Sequence, residues 1–214
     1  MDMEILTIYD ENMQEIGTLE RKKAHKIGAW HQTIHCWVIS GKENGYVLFQ
    51  KRGRHKSMFP DYLDITAAGH YLHDEKLEDG IREIFEELGV RVNFDELVYL
   101  GIKFDLGKSK DMINREFSNV YFLRNDKPVS DYELNPEEVE GLVEMKIPDG
   151  LALFSNEVPS VEVQGIEWDI KNKKWINITR KISINQIIPR IDSYYYKIFI
   201  MAERYLNGNN YITI

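Results

Sequence analysis

The chain has 214 residues, 43% of them hydrophobic and 12% aromatic, which suits one or two globular domains with a real core. Its formal net charge of −8 excludes an electrostatic platform for duplex nucleic acid, so a phosphorylated substrate would need a cation or a local basic patch. A single cysteine, Cys36, excludes an intrachain disulfide framework; the acidic opening stretch does not read as a signal peptide and no apolar run approaches a membrane span, so the expected location is the cytoplasm.

From the N-terminus, EILTIYD and EIGTLER flank the turn DENMQ and predict a β-hairpin. RKKAHK reads as an exposed basic connection. QTIHCWVIS (Gln32–Ser40), rich in β-branched and aromatic residues, predicts a buried strand. GKENG supplies a turn into a second strand, YVLFQKR, and GRHKSMFP a loop. YLDITAAGH predicts a strand ending at Gly69. Leu77, Ile81, Ile84, Phe85 and Leu88 recur at helical spacing with the core on one side, and Gly89 is the C-terminal stop. VRVNF, LVYLGIKFD and FSNVYFL predict strands, NPEEVEGLVEMKI ends in another, and PDGLALF forms a short helix. EVPSVEVQGIEW is ambiguous. IPRIDSYYYKIFIMAERYL predicts a helix of about five turns, ending at Asn207-Gly208. The expected fold class is α+β: a mixed β-sheet sandwiched by helices over residues 1–150, with a mainly helical extension over 151–214 packed on the same domain.

GIREIFEELGV carries the chemistry. Successive helix residues turn by about 100°, so Glu83 and Glu87 stand about 40° apart, with Glu86 close by and Arg82 beside it. Like charges at this spacing repel. The arc is either solvated surface or a hard-oxygen site suited to Mg²⁺ or Mn²⁺.

Gly69, Glu75, Arg82-Glu83, Glu86-Glu87 and Gly89-Val90 resemble the Nudix box, whose pattern is G, five residues, E, seven residues, R-E-U-x-E-E-x-G-U, with U aliphatic. REIFEELGV matches the second half completely, but six residues rather than seven separate Glu75 from Arg82. The resemblance implies a Nudix-type fold and hydrolysis of a diphosphate linkage in a nucleoside diphosphate derivative or a related X-linked diphosphate. It implies Mg²⁺ or Mn²⁺ as cofactor, Glu86 and Glu87 as metal ligands, and Glu83 as a further ligand or the base. Arg82 would orient Glu83, and Gly69 would offer its backbone carbonyl.

AHKIGAWHQTIHCWV and AAGH are similar to the isopentenyl diphosphate isomerase branch of that superfamily. There, two upstream histidines and one in a C-G-H turn bind a metal, and a strand glutamate protonates the substrate alkene together with a cysteine. His25 and His31 fall near the upstream pair, His70 at the turn, and Glu116 at the strand carboxylate. The cysteine position reads Ala68, whose methyl group transfers no proton, and the branch's first strand glutamate reads Asn114. Cys36 lies on another strand. Hydrolysis is therefore expected over isomerisation, the alternatives being an isomerase-like enzyme or a non-catalytic diphosphate-binding module.

Outside the box, QKRGRHK gathers basic side chains, of which Arg52 or Lys56 could reach substrate phosphates; Lys51 and Arg52 alternate on a strand, so only one faces the site. His31 and His35 would stand about 13 Å apart on a strand, too far for one ion, and His35 reads as a core residue. Asp64 reads as a structural partner. Tyr194, Tyr195 and Tyr196 cannot all be buried on one helix; they combine core and rim packing, or meet a second copy of the chain in a homodimer. The expected partner is a small-molecule diphosphate, with neither duplex nucleic acid nor membrane.

Overall fold

The computed structural model describes residues 4–42, 45–56, 58–108 and 112–214. Glu43 and Asn44 of the GKENG turn and Ser57 of the GRHKSMFP loop lie outside the described residues. The chain runs β1 (Ile5–Tyr9), β2 (Glu15–Glu20), α1 (Arg21–Ile27), β3 (Trp30–Ser40), β4 (Tyr46–Arg52), β5 (Leu63–Asp64), β6 (Ala67–His70) and α2 (Ile81–Leu88). It continues through β7 (Leu97–Lys108), β8 (Ile113–Arg124), β9 (Val139–Lys146), α3 (Ile147–Phe154), β10 (Val161–Asp169), β11 (Lys174–Ile182) and α4 (Tyr194–Leu206).

Alternation along β3 separates two cores, because successive strand residues face opposite ways. Cys36 and Val38 pack with Leu48, Ala67 and the α2 residues Ile84 and Leu88. Trp37 and Ile39 pack on the other side with Phe49 and the α4 residues Tyr194, Ile198 and Phe199. The sheet is mixed: β3 runs parallel to β8 and antiparallel to β1, β4 and β6, and the order β11-β10-β9-β4-β3 continues to β1 and β2. β3 and β4 pair only at Ile39–Val47 and Ser40–Tyr46. Beyond that point β5 joins β4 and β6 joins β3, so the two halves of the sheet diverge and residues 65–66 cross between them. No helix among the described residues is long and apolar enough to cross a membrane, which leaves β-barrels unaddressed.

Several elements differ from expectation. RKKAHK is helical: Gly28 takes the left-handed conformation (φ 67°) that closes α1, and Ala24 and His25 are buried. YLDITAAGH forms two short strands, the second reaching His70. VRVNF is not a strand; a 3₁₀ turn at Phe94–Glu96 precedes β7. A 3₁₀ turn at Leu77–Gly80 also leads into α2, and Leu77 and Phe85 stay exposed rather than joining the core face. Arg91 lies over the Phe85 ring, which gives that side chain a cation–π partner at the surface.

The extension is mixed rather than mainly helical. β10 and β11, nine residues each, form a hairpin whose inner strand pairs with β9, so the segment extends the same sheet. Hydrophobic alternation in VEVQGIEW and KWINITRKI is the signal for it. α4 starts only at Tyr194, because Ile188 N–H donates to Leu63 O at 3.0 Å and Ile187 bridges Leu63, holding this stretch extended up to Pro189. Tyr194 and Tyr195 enter the core and only Tyr196 is half-buried, so the aromatic face expected to serve a homodimer is not on the surface.

Tyr194 Oη accepts from Trp37 Nε1 at 2.9 Å and meets His35 Nδ1 at 3.0 Å, all three groups being buried. His35 is thus a core residue, its imidazole lowered to about 4 by burial. Tyr194→Phe leaves these two partners unpaired and is expected to cost roughly 1–3 kcal/mol. Denaturant unfolding at pH 7 measures it, and an unchanged midpoint would remove the network from the fold's stability.

Candidate functional site

The divergence of β3 and β4 is spanned by one side chain. Glu87, on the inner face of α2, accepts from Gln50 Nε2 on β4 and from the Ala68 backbone N–H on β6, each at 3.1 Å. Burial, with the nearby charge of Glu83, pushes the Glu87 carboxyl up to about 8. Glu83 lies against β6 at Gly69, where any Cβ would overlap its carboxylate. Burial raises Glu83 to about 7, against the opposing pull of Arg82.

Arg82 organises the outer face. Its guanidinium donates to Glu75 through Nε (2.7 Å) and Nη2 (3.0 Å), and to Glu83 at 2.8 Å. It also reaches Glu86 at 3.3 Å and the His70 carbonyl at 3.1 Å. Glu86 is exposed. The helix carboxylates are therefore divided rather than gathered: Glu87 faces in, Glu83 lies on the backbone of Gly69, and Glu86 points to solvent with Arg82 between.

A second cluster stands on the other side of β6. His70 follows Gly69 and faces the opposite way. In register, Glu116 of β8 lies beside His31 of β3, and His70 lies beside Thr33. His31 Nε2 and His70 Nε2 approach Glu116 Oε1 at 3.6 and 3.7 Å, and His25 from α1 completes a group whose ligating atoms all lie within 4.8 Å of one another. His25 Nδ1 and His31 Nδ1 each sit 2.9 Å from a backbone carbonyl, of Arg21 and Ala29, so Nδ1–H donates and Nε2 is left free to ligate. His31 Nε2 and His70 Nε2 are buried without a hydrogen-bond partner. Burial lowers His25 and His70; burial alone would raise Glu116, but the adjoining imidazoles of His31 and His70 hold it well below the usual carboxylate range. Neutral imidazoles and an ionised carboxylate are the ligating forms.

No protein-family model matches the chain. An uncharacterised Nudix hydrolase of Clostridium acetobutylicum is 34% identical over 207 residues, covering 94% of this chain and 98% of that protein. The chain belongs to the Nudix hydrolase family. An isopentenyl-diphosphate delta-isomerase of Pectobacterium atrosepticum is 26% identical over 141 residues, covering 65% of this chain and 74% of that enzyme. The crystal structure of the Deinococcus radiodurans protein DR0079 shares the fold, with TM-score 0.53, 22% identity, and coverage of 72% of this chain and 90% of that one.

Glu75 reaches Arg82 despite the shortened spacing. It chelates Arg82 and accepts from the Leu72 N–H at 2.8 Å. The 3₁₀ turn at Leu77–Gly80 rises about 2.0 Å per residue against about 1.5 Å in an α-helix, and so spans the gap with one residue fewer. Arg52 pairs with Asp64 at 3.1 Å and Lys56 with Glu138. Lys56 also acts on Glu87 electrostatically.

Sequence reasoning missed Arg190. It joins Asp64 (3.0 Å) to Asp105, which Lys103 holds at 3.2 Å and which lies opposite Glu116 in register. An arginine after Pro189 carries no motif that could have marked it.

The raised carboxyls set a pH dependence. Glu83 and Glu87 bind protons more tightly in the folded chain than at their ordinary value of 4.5. Their contribution to stability is therefore fully present below about pH 4.5 and lost as pH rises through 7 to 8. Metal-free protein is expected to lose stability between pH 5 and 8.5, and Glu83→Gln/Glu87→Gln to flatten that loss. Equal slopes for both proteins in denaturant titrations would contradict the assignment.

Proposed function

We propose that the chain is a cytoplasmic, Mg²⁺- or Mn²⁺-dependent hydrolase that cleaves a diphosphate linkage in a nucleoside diphosphate derivative or a related X-linked diphosphate. The observation that carries this reading is the pair of carboxylates beneath α2, buried Glu87 on the Ala68 N–H and half-buried Glu83 against Gly69, whose nearby cations among the described residues are Arg82 and the more distant Lys56. Burying negative charge in this way is costly without a compensating ion, and the missing Cβ of Gly69 is what lets the Glu83 carboxylate approach that backbone. The donor set is oxygen-rich and fits a hard cation.

Glu83, Glu87 and the Gly69 carbonyl would hold the ion, and Glu86 would join them by leaving Arg82 and turning in from solvent. When bound, it offsets phosphate charge and lowers the pKa of water. Arg82, clamped by Glu75, fixes Glu83 by a charge-assisted hydrogen bond. Glu83 would serve as a further ligand or as the base that takes a proton from attacking water. Arg52 ends β4 and Lys56 lies in the loop that follows it, and they would exchange Asp64 and Glu138, respectively, for phosphate oxygens. His25, His31, His70 and Glu116 would hold a second divalent ion, since two orphaned imidazole nitrogens converge on one carboxylate.

That imidazole cluster favours a second reading, isomerisation of isopentenyl diphosphate. Against it, Ala68 places a methyl where that chemistry needs a proton donor. Cys36 packs in the opposite core, opposite Ala67, with burial pushing its thiol up.

Incubation with Mg²⁺ and a panel of nucleoside diphosphate derivatives, dinucleotides, sugar nucleotides, coenzyme A and isopentenyl diphosphate separates the readings. Phosphate-bond cleavage of at least one member is expected, without alkene isomer. Glu87→Gln is expected to lower turnover at least 100-fold with the fold intact by circular dichroism. Turnover retained in that variant removes Glu87 from the mechanism, and binding without turnover in the wild type favours a non-catalytic module.

A further inference from the structure

β7 is an edge of the sheet whose second half is left open. It pairs with β8 on one side. On the other side the C-terminal tail reaches Leu100, whose carbonyl accepts from the Ile214 N–H at 2.9 Å and from Thr213 Oγ1 at 3.0 Å. From Ile102 to Lys108, no backbone hydrogen bond meets the outer edge among the described residues. We propose that this edge pairs with β7 of a second copy of the chain, antiparallel and about a twofold axis at Phe104, so that two sheets become one. The inference is independent of the diphosphate reading and uses a different face from the α4 tyrosines.

An open edge offers unpaired N–H and C=O groups to any strand of matching pattern, and proteins usually block it with outward charge, proline or brevity. The other edges of the sheet are protected in this way. β2 has six residues and carries Glu15 and Glu20, and β11 carries Lys174, Arg180 and Lys181. β7 has twelve residues and no proline. Between Ile102 and Leu106 its charges are Lys103 and Asp105, both buried on the inner face. There Lys103 bonds Asp105 at 3.2 Å and lies 3.6 Å from Asp192, while Arg190 holds Asp105. Inward charges deter pairing when a new strand would strip them of water. These two are already out of water and paired.

The outer face of the same stretch is apolar. Phe104 and Leu106 remain 58% and 41% exposed. Phe104 meets Phe117 edge to face at 5.5 Å, and Phe117 stacks on Trp30 at 4.5 Å. An aromatic strip therefore crosses β3 and β8 and stops at the open edge of β7.

The strand is complementary to itself. Antiparallel pairing centred on Phe104 sets Phe104 against its own copy, Ile102 against Leu106, and Lys103 against Asp105 of the second copy. Aromatic and opposite-charge pairs are the favourable ones across strands, and like charges directly opposite are destabilising. Moving the axis to Lys103 sets two lysines face to face, and moving it to Asp105 sets two aspartates. An axis between residues puts Phe104 beside Lys103 or Asp105, which joins the apolar face of one copy to the charged face of the other. One register satisfies both faces, and a twofold contact of this kind closes at the dimer.

Sedimentation velocity on the full chain tests the proposal. The wild type is expected to be a dimer in the micromolar range. Phe104→Glu and Phe104→Lys, at an exposed position, are each expected to lose the dimer with circular dichroism unchanged, because the axis sets each new charge against itself. Mixing the two variants in equal amounts is expected to restore a dimer, since glutamate then faces lysine. Thr179→Glu, on the β11 edge, is expected to leave the wild-type dimer intact. A monomeric wild type, assembly beyond the dimer, a dimer undiminished by either Phe104 variant, or variants that stay monomeric when mixed would each overturn the proposal. Loss of the dimer in Thr179→Glu would overturn it in favour of pairing at β11.

Discussion

Negative charge buried beneath α2 is the constraint on which this structure turns. Glu87 closes the gap where the β-sheet splits, taking one donor from each half. Glu83 lies on the glycine that follows Ala68, and Arg82 ties both Glu83 and the preceding loop to the helix. Removing the Cβ at position 69 and clamping Arg82 with Glu75 are what permit two carboxyls to sit so close to backbone. The same arrangement leaves them raised and short of positive charge, which is the basis on which a metal ion is proposed there.

The C-terminal extension belongs to the site as well as to the fold. Its hairpin lengthens the sheet beyond β9, and α4 completes the core against Trp37 and Phe49. Between them, the extended stretch at Ile187–Arg190 lies along β5 and sends Arg190 between Asp64 and Asp105. Those two acids neighbour the carboxylate sites on either side of β6, so one buried arginine holds both walls in place. Breaking a paired, buried charge of this kind typically destabilises by about 3–5 kcal/mol.

Much of this was legible in the amino-acid order because local rules and the fold agree. The helix from Ile81 to Leu88, stopped by Gly89, and the strands β3 and β4 form as the residue pattern predicts, although Phe85 faces out. RKKAHK was opaque because its buried face consists of Ala24 and His25 alone, too little for a periodic signal. The later start of α4 reflects long-range pairing of Ile187 with Leu63, which overrides an unbroken helical pattern. At the site, the motif identifies Arg82, Glu83, Glu86 and Glu87 but not their division into inward, backbone-seated and solvent-facing roles. The convergence of His25, His31, His70 and Glu116 depends on strand register across β6, β3 and β8, and only a resemblance to the isomerase branch hinted at it.

Manganese binding followed by electron paramagnetic resonance bears most directly on the central claim, that an ion under α2 compensates Glu83 and Glu87. Titrated with and without pyrophosphate, the wild type should show a class of Mn²⁺ sites that pyrophosphate strengthens. The Glu83→Gln/Glu87→Gln protein should lack that class while retaining any ion held by the imidazole cluster. Superimposable titrations for the two proteins would contradict the account.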